Sequence, residues 1–148
     1  MAAIRVEGLA DLRRALNRVS AEAPKSLAAA NHAVGVIVVD EAKRRAPKGP
    51  HQGGGNVIPI ADSIRSANQA ARAVVTIGGA RSPHAVVEEF GGTIARRGFK
   101  GARGRARGNH VTRVSKRAYL YPAIDAKQAA IEDRYMTMLD EIVTRFEE

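Results

Sequence analysis

The segment Gly91–Arg117 constrains the fold most, because it contains nine cationic side chains and no acidic one. Glycines at positions 98, 101, 104 and 108 are interspersed among the cations and weaken both helix and strand preference. Like charges without counter-charges repel one another, so the segment alone is expected to be a long mobile loop. The nine cations are Arg96, Arg97, Lys100, Arg103, Arg105, Arg107, Arg113, Lys116 and Arg117.

The rest of the chain is electrically balanced. The protein has 148 residues, 24 basic and 15 acidic, and a formal net charge of +9. The basic residues outside Gly91–Arg117 equal the acidic residues in number, so the whole excess lies in that segment. Polyanionic nucleic acid or an acidic neighbouring protein would be its natural partner, and the sequence leaves both open. Phe99 is its one aromatic residue, so stacking on bases is expected to be weak.

Composition excludes several classes of protein. The chain has no cysteine, which rules out disulfides, zinc–thiolate sites, iron–sulfur clusters and thiol nucleophiles. No apolar run approaches the length of a membrane span, and the N-terminal residues do not form a secretory signal, so a cytoplasm-like compartment is expected. A length of 148 residues suits one domain, expected over residues 1–148 with 91–117 as an extended basic loop.

Hydrophobic periodicity predicts the helices and strands in the first half of the chain. Residues 4–7 alternate as in a short strand, and leucines at 9, 12 and 16 mark one face of a following helix. A long helix is predicted from about Pro24 to Ala46, since Pro47 disfavours helix in the residue before it. The Val-rich stretch within it would also suit a strand, but its Ala-rich and charged flanks favour helix. A breaker-rich loop over residues 47–59 precedes a hairpin with strands near 63–70 and 72–78.

Helix-capping and helix-terminating residues predict the elements of the second half of the chain. Ser82 as N-cap, Pro83 at the first position and Gly91 beyond the end delimit a short helix. Residues 118–122 read as a short strand, and Pro122 is expected to open a terminal helix reaching Phe146. The fold class expected is α+β, with a small, mostly antiparallel sheet of about four strands packed by the long helix and the C-terminal helix. The residues expected in the core or between subunits are Ile4, Val6, Leu9, Leu12, Leu16, Val75, Ile77, Phe90, Leu120, Ile131, Tyr135 and Ile142.

Catalytic and metal-binding patterns are sparse. His84 and Glu88 lie four apart on the predicted short helix and resemble half of a metal site, but no further ligand is nearby in sequence. Glu88 and Glu89 are adjacent and face different directions on a helix, which favours structural roles over acid–base chemistry. The other histidines lie in the long helix or in Gly-rich loops, and Gly53–Gly55 lacks the residues of a phosphate loop. We therefore expect no enzymatic activity, no catalytic residues, no metal and no cofactor.

The terminal helix is acidic. Seven acidic and three basic residues lie between Ala123 and Glu148. A solvated polar helix face accounts for this composition, and pairing with the basic segment of another copy is the alternative.

Three sequence stretches resemble the neck and tail-completion (tail-to-head joining) proteins of long-tailed bacteriophages. They are I-R-V-E-G-L-A-D-L-R-R-A-L near the start, P-H-A-V-V-E-E-F-G-G in the middle, and A-Y-L-Y-P-A-I-D-A towards the end. The family has a long helix ending in Ala-Pro, here Ala46-Pro47, then a hairpin and a short helix ending in Glu-Phe-Gly, here Glu89-Phe90-Gly91. A longer stretch replaces the family's usual Thr-Gly-x-Leu after Pro47.

The resemblance implies a non-enzymatic virion component that forms a ring, commonly a hexamer, at the head–tail interface. Its expected partners are further copies of itself, proteins on the portal side of the head connector, and the tail tube protein. Assembly in the host cytoplasm is expected, with no membrane partner. Gly91–Arg117 would then line the lumen near DNA or contact an adjoining ring. A nucleic-acid-binding protein that uses this Arg/Gly-rich segment is the alternative.

Overall fold

The computed structural model describes residues 8, 11, 14, 23–48, 58–67, 69–96, 99–100, 106–107 and 110–147. For 94–96, 99–100, 106–107, 110–112 and 145–147 it describes the backbone only. The helices are α1 (Ala23–Arg45), α2 (Ile60–Ser63), α3 (His84–Phe90) and α4 (Leu120–Glu147). The strands are β1 (Arg65–Ala67), β2 (Val74–Thr76), β3 (Gly92–Arg96), β4 (Phe99–Lys100), β5 (Ala106–Arg107) and β6 (His110–Val114).

Helix α1 forms because its apolar residues recur at helical spacing through the Val-rich stretch. Leu27, Val34 and Val38 are buried, and their spacings of seven and four residues place them on one face of the helix. The helix ends at Arg45, next to Ala46-Pro47, as the proline requires. The prediction of one long helix here is confirmed.

Helices α1 and α4 pack antiparallel and carry most of the core. Leu27 near the start of α1 lies in one apolar cluster with Met138 and Ile142 near the end of α4. Ala42 near the end of α1 lies in a second cluster with Leu120 at the start of α4. The second cluster extends to the β1–β2 hairpin and α3.

Two residues of α1, Asn31 and Gly35, determine how this helix packs against its neighbours. Asn31 is buried; its Nδ2 donates to the Ala70 carbonyl at 3.1 Å and its Oδ1 accepts from the Tyr135 hydroxyl at 2.8 Å. It therefore joins α1 to the β1–β2 turn and to α4. Gly35 lies against β1 so closely that a Cβ there would come 2.2 Å from Ser66 Oγ. The glycine costs helix propensity but permits this approach.

The strands pair as antiparallel ladders, which confirms the α+β class. In β1–β2, Arg65 pairs with Thr76 and Ala67 with Val74, as the predicted hairpin requires. The expectation of one sheet of about four strands is wrong, because the described strands form three separate two-stranded ladders. Gly78 and Gly79, both at positive φ, end the first hairpin, and α3 separates it from β3. The chain thus leaves the first ladder before the next strand begins.

The boundaries of α3 agree in part with the predicted capping residues. Gly91 has φ 75° and ends the helix, as expected for a C-terminal glycine. The helix begins at His84, and Ser82 does not cap it through its side chain. Instead the Ser82 carbonyl accepts from the Ala85 N–H at 3.2 Å, so the Ser82 cap prediction is wrong in its chemistry.

The start of α4 also differs from the prediction. The helix begins at Leu120, so residues 118–122 are not a strand and Pro122 is its third residue. A proline is tolerated there because the first-turn N–H groups have no partner within the helix.

The predicted core is largely found where the structure can test it. Val75, Ile77, Leu120 and Ile142 are buried, whereas Phe90 is exposed and therefore outside the core. Ile131 and Tyr135 are half-buried and pack against the apolar clusters, while Ile4, Val6, Leu9, Leu12 and Leu16 lie outside the described residues.

Candidate interaction surface

The basic segment has strands at both of its ends. β3 pairs antiparallel with β6, from Gly92 opposite Val114 to Arg96 opposite His110. β4 pairs with β5, with Phe99 opposite Arg107. Phe99 lies three positions after Arg96, and Arg107 lies three positions before His110, so the paired positions of the two ladders follow one register. The expectation of a strandless loop is therefore wrong for these stretches. β-branched residues near the base, such as Thr93 and Val114, favour strand there despite the glycines. We call these two strand pairs, β3–β6 and β4–β5, the cationic hairpin.

Of the nine predicted interaction residues, four lie on the strands of this hairpin and two, Lys116 and Arg117, lie just after β6. Arg113, Lys116 and Arg117 are exposed near its base. No ion pair or side-chain hydrogen bond joins these three to any part of the chain that the structure describes. Arg96, Lys100 and Arg107 occupy strand positions, and Arg97, Arg103 and Arg105 lie outside the described residues.

The base of the cationic hairpin is held against α3. The Arg117 N–H donates to the Glu88 carbonyl at 2.7 Å. Gly91 approaches the returning chain closely, since a Cβ on it would lie 3.2 Å from the Lys116 nitrogen. These contacts fix where the hairpin leaves the body of the protein.

Glu89 joins the hairpin base to α4. Its carboxylate is fully buried and accepts from three successive backbone N–H groups: Tyr119 at 2.7 Å, Leu120 at 2.9 Å and Tyr121 at 3.2 Å. These groups start α4 and would otherwise lack partners, and the helix dipole favours a negative charge at this end. The structural role expected for Glu89 is confirmed. The cap itself is not predictable from local sequence, because the carboxylate and its first donor lie thirty positions apart in the chain.

Tyr119 completes this buried junction. Its hydroxyl donates to the Ala85 carbonyl at 2.9 Å. Burial raises the pKa of Tyr119 well above its ordinary value, and the nearby Glu89 and Glu88 carboxylates raise it further. The phenol therefore stays protonated at physiological pH and serves as a fixed donor between α3 and α4.

The suggested half of a metal site, His84 and Glu88, is not joined by a third metal-ligating side chain among the described residues. His84 and Glu88 are both half-buried on α3. The described ranges contain no group of three or more His, Cys, Asp or Glu side chains placed to hold a metal. Gly53–Gly55 and His51 lie outside those ranges, His32 is exposed on α1, and His110 lies on β6.

An apolar cavity of about 310 Å³ lies between α1, β2 and α4. Val34, Val75, Ile131 and Tyr135 contribute to its lining. The Tyr135 hydroxyl is already bonded to Asn31, and burial raises the Tyr135 pKa.

The outer face of α4 is acidic and carries exposed apolar side chains. Between Tyr121 and Thr144 five carboxylates are exposed: Asp125, Glu132, Asp133, Asp140 and Glu141. The two cations in this range, Lys127 and Arg134, are 34% and 31% exposed and pair with Glu41 and Glu141. Met136 and Val143 are 57% and 54% exposed on the same face. The acidity of this helix is evident from its composition, whereas the exposure of Met136 and Val143 was not predicted. The available signal was their spacing of seven residues, which places them on one face of the helix among acidic residues.

Comparisons with known proteins add no relative, since no family model, curated protein or solved structure matches this chain. Within the described ranges, no helix has both the length and the hydropathy needed to cross a bilayer. The features available for assigning a function are therefore the cationic hairpin, its anchored base and the acidic face of α4.

Proposed function

We propose that this protein is a structural subunit of the neck of a long-tailed bacteriophage, where its copies form a ring that joins the head connector to the tail. The ring is a hexamer in this proposal. Its partners are the connector proteins on the portal side and the tail tube protein, and DNA passes through its lumen. The subunit is assembled in the host cytoplasm and then belongs to the virion. It has no catalytic role and needs no cofactor.

The cationic hairpin is the observation that carries this proposal. A two-stranded hairpin is marginally stable in water, and more so when its side chains repel one another. This one is attached at its base to α3, next to an otherwise neutral body. Such a hairpin gains stability when its charge is neutralised by an assembled partner, and a ring that surrounds DNA supplies both protein and phosphate neighbours.

The order of elements supports the same family. A long helix ends at Ala46-Pro47, the β1–β2 hairpin follows, α3 ends at Glu89-Phe90-Gly91, and the last helix follows Tyr119. These are the positions at which the family's motifs fall in the sequence. The cap that Glu89 provides for α4 gives two of the motifs a shared physical purpose.

The second candidate function is nucleic-acid binding by a monomer or dimer. The exposed Arg113, Lys116 and Arg117, which form no ion pair with described carboxylates, favour it. If six to nine cations of the segment met phosphates of duplex DNA, a log–log plot of affinity against salt would have a slope of about −5 to −8.

Native mass spectrometry with negative-stain imaging of the purified protein distinguishes the two functions. A ring with a central opening is expected for a neck subunit. A monomer or dimer that binds duplex DNA with that steep salt dependence would overturn the neck assignment.

A shortened hairpin tests the role of the cations within the ring. Deletion of residues 98–108 leaves two residues between the paired Arg96 and His110, and Arg97→Asn with Asn109→Gly makes these a type I′ turn. A second variant keeps the full length and replaces Lys100, Arg103, Arg105 and Arg107 with glutamine, which separates the loss of charge from the loss of length. Both variants are expected to lose head–tail joining and DNA retention. Unchanged joining and retention in the shortened variant would contradict the proposed role of the hairpin.

A further inference from the structure

Exposed apolar side chains fall into two groups at different places on the surface. Phe90 and Tyr121 are 47% and 50% exposed and meet edge to face, with ring centroids 5.9 Å apart. Met136 and Val143 form the second group, on the outer face of α4. Together they are four of the five large apolar side chains that are exposed in the part of the chain that the structure describes.

The charges that predominate beside the two groups are opposite. Lys116 and Arg117 lie close to the aromatic pair along the backbone, because Lys116 packs against Gly91, the residue after Phe90, and the Arg117 N–H donates to the Glu88 carbonyl. One acidic residue, the exposed Asp125, lies one turn along α4 from Tyr121. We call Phe90, Lys116, Arg117 and Tyr121 the aromatic–cationic patch. Exposed Asp133 and Asp140 flank the second group. We call Asp133, Met136, Asp140 and Val143 the acidic–apolar patch.

The two patches cannot meet within one chain. Tyr121 and Met136 are fifteen residues apart on one continuous helix, a separation of about 22 Å at 1.5 Å per residue. Each patch combines apolar area with one predominant sign of charge, and the side chains of Lys116, Arg117, Asp133 and Asp140 form no ion pair with any described residue. Contact between two copies would satisfy both patches.

We propose that the aromatic–cationic patch of one copy binds the acidic–apolar patch of α4 in the next copy. The inference rests on the proposed function, since it assigns the contact between neighbouring subunits of the ring. The first patch lies at the N-terminal end of α4 and the second along its side. An end-to-side contact is heterologous: it leaves one unused patch of each kind, so copies continue to add until the ring closes. Apolar contact supplies attraction, and the opposite charges select the register.

Charge reversal tests this contact. One variant carries Lys116→Glu and Arg117→Glu, a second carries Asp133→Lys and Asp140→Lys, and a third combines all four changes. Each of the first two places like charges together and is expected to weaken assembly by about a hundredfold or more. The combined variant restores opposite charges, and so does an equal mixture of the first two. Both are expected to recover rings in native mass spectrometry.

A matched control reverses two exposed cations elsewhere, by Lys43→Glu and Lys48→Glu, and is expected to assemble as the wild type does. Circular dichroism verifies that every variant is folded. Rings that persist in both single-patch variants, or a recovery that fails in the combined variant, would overturn this contact and leave the ring function standing. A wild type that forms closed two-fold dimers would overturn the end-to-side arrangement. A monomeric wild type that binds DNA would overturn both proposals.

Discussion

Replacement of Glu89 by glutamine is the sharpest test of the junction between α3 and α4. The carboxylate is fully buried and accepts three backbone N–H groups at the start of α4. Glutamine has nearly the same shape but one acceptor oxygen, and its amide group opposes the remaining N–H donors. The substitution therefore removes the charge and part of the cap without creating a cavity.

The expected loss follows from these three bonds. A hydrogen bond to a charged group contributes about 1.5–3 kcal/mol, and a buried donor left without a partner costs about 1–3 kcal/mol. Since one oxygen of glutamine still accepts, the loss of unfolding free energy for Glu89→Gln should be about 2–3 kcal/mol. In a domain of this size that lowers the melting temperature by roughly 6–10 °C. Glu89→Ala leaves all three donors unpaired and should cost about 4 kcal/mol or more.

Chemical denaturation measures the free energy of unfolding, and amide hydrogen exchange shows which backbone N–H groups lose protection. The amides of residues 119–121 should lose protection in Glu89→Gln while those in the middle of α1 retain it. Glu88→Gln is the matched control: its Oε2 accepts no hydrogen bond from the described residues, and the substitution keeps its backbone bond to Arg117. Equal stability of the two variants, or unchanged protection at residues 119–121, would refute the capping argument.

Two further predictions concern α1. Gly35→Ala should destabilise the protein by about 1–2 kcal/mol, because the new Cβ meets Ser66 Oγ, even though alanine has the better helix propensity. In a Ser66→Ala background the same change should be neutral or stabilising. A double-mutant cycle of denaturation midpoints measures this difference. The Glu41 carboxylate is nearly buried and accepts a hydrogen bond from Arg45 at 2.7 Å. This bond lowers the pKa of Glu41 below its ordinary value, and burial opposes it with a smaller effect. Attraction to Arg44, Arg45 and Lys127 lowers the pKa further. A lowered folded-state pKa stabilises the protein above the unfolded value of about 4.3 and loses that effect as the pH falls through the folded value. Glu41→Gln should accordingly be less stable than wild type at pH 7, and the difference should shrink as the pH falls from about 4.3 through the lowered folded-state pKa. A stability difference that is independent of pH would contradict the assigned cause.

Local signals in the sequence predicted several elements correctly. The helix over α1, the β1–β2 hairpin and the glycine that ends α3 each depend on neighbouring residues: helical spacing of valines, two apolar runs separated by a turn, and a residue able to adopt positive φ. Errors arose where distant residues decided the outcome. The start of α4 is determined by Glu89, and the strands of the basic segment are determined by cross-strand pairing, which the local glycine content obscured.

The candidate site divides in the same way. The concentration of positive charge in Gly91–Arg117 and the acidity of the last helix are properties of composition, so the sequence alone determined them. Only the tertiary structure decided that Phe90 and Tyr121 lie together beside Lys116 and Arg117, because α3 and α4 are joined through a buried carboxylate thirty residues from its partners. It also decided which side of α4 faces outward, since packing against α1 buries Met138 and leaves Met136 exposed. Charge content is local to the chain, whereas a surface is formed by elements that only folding brings together.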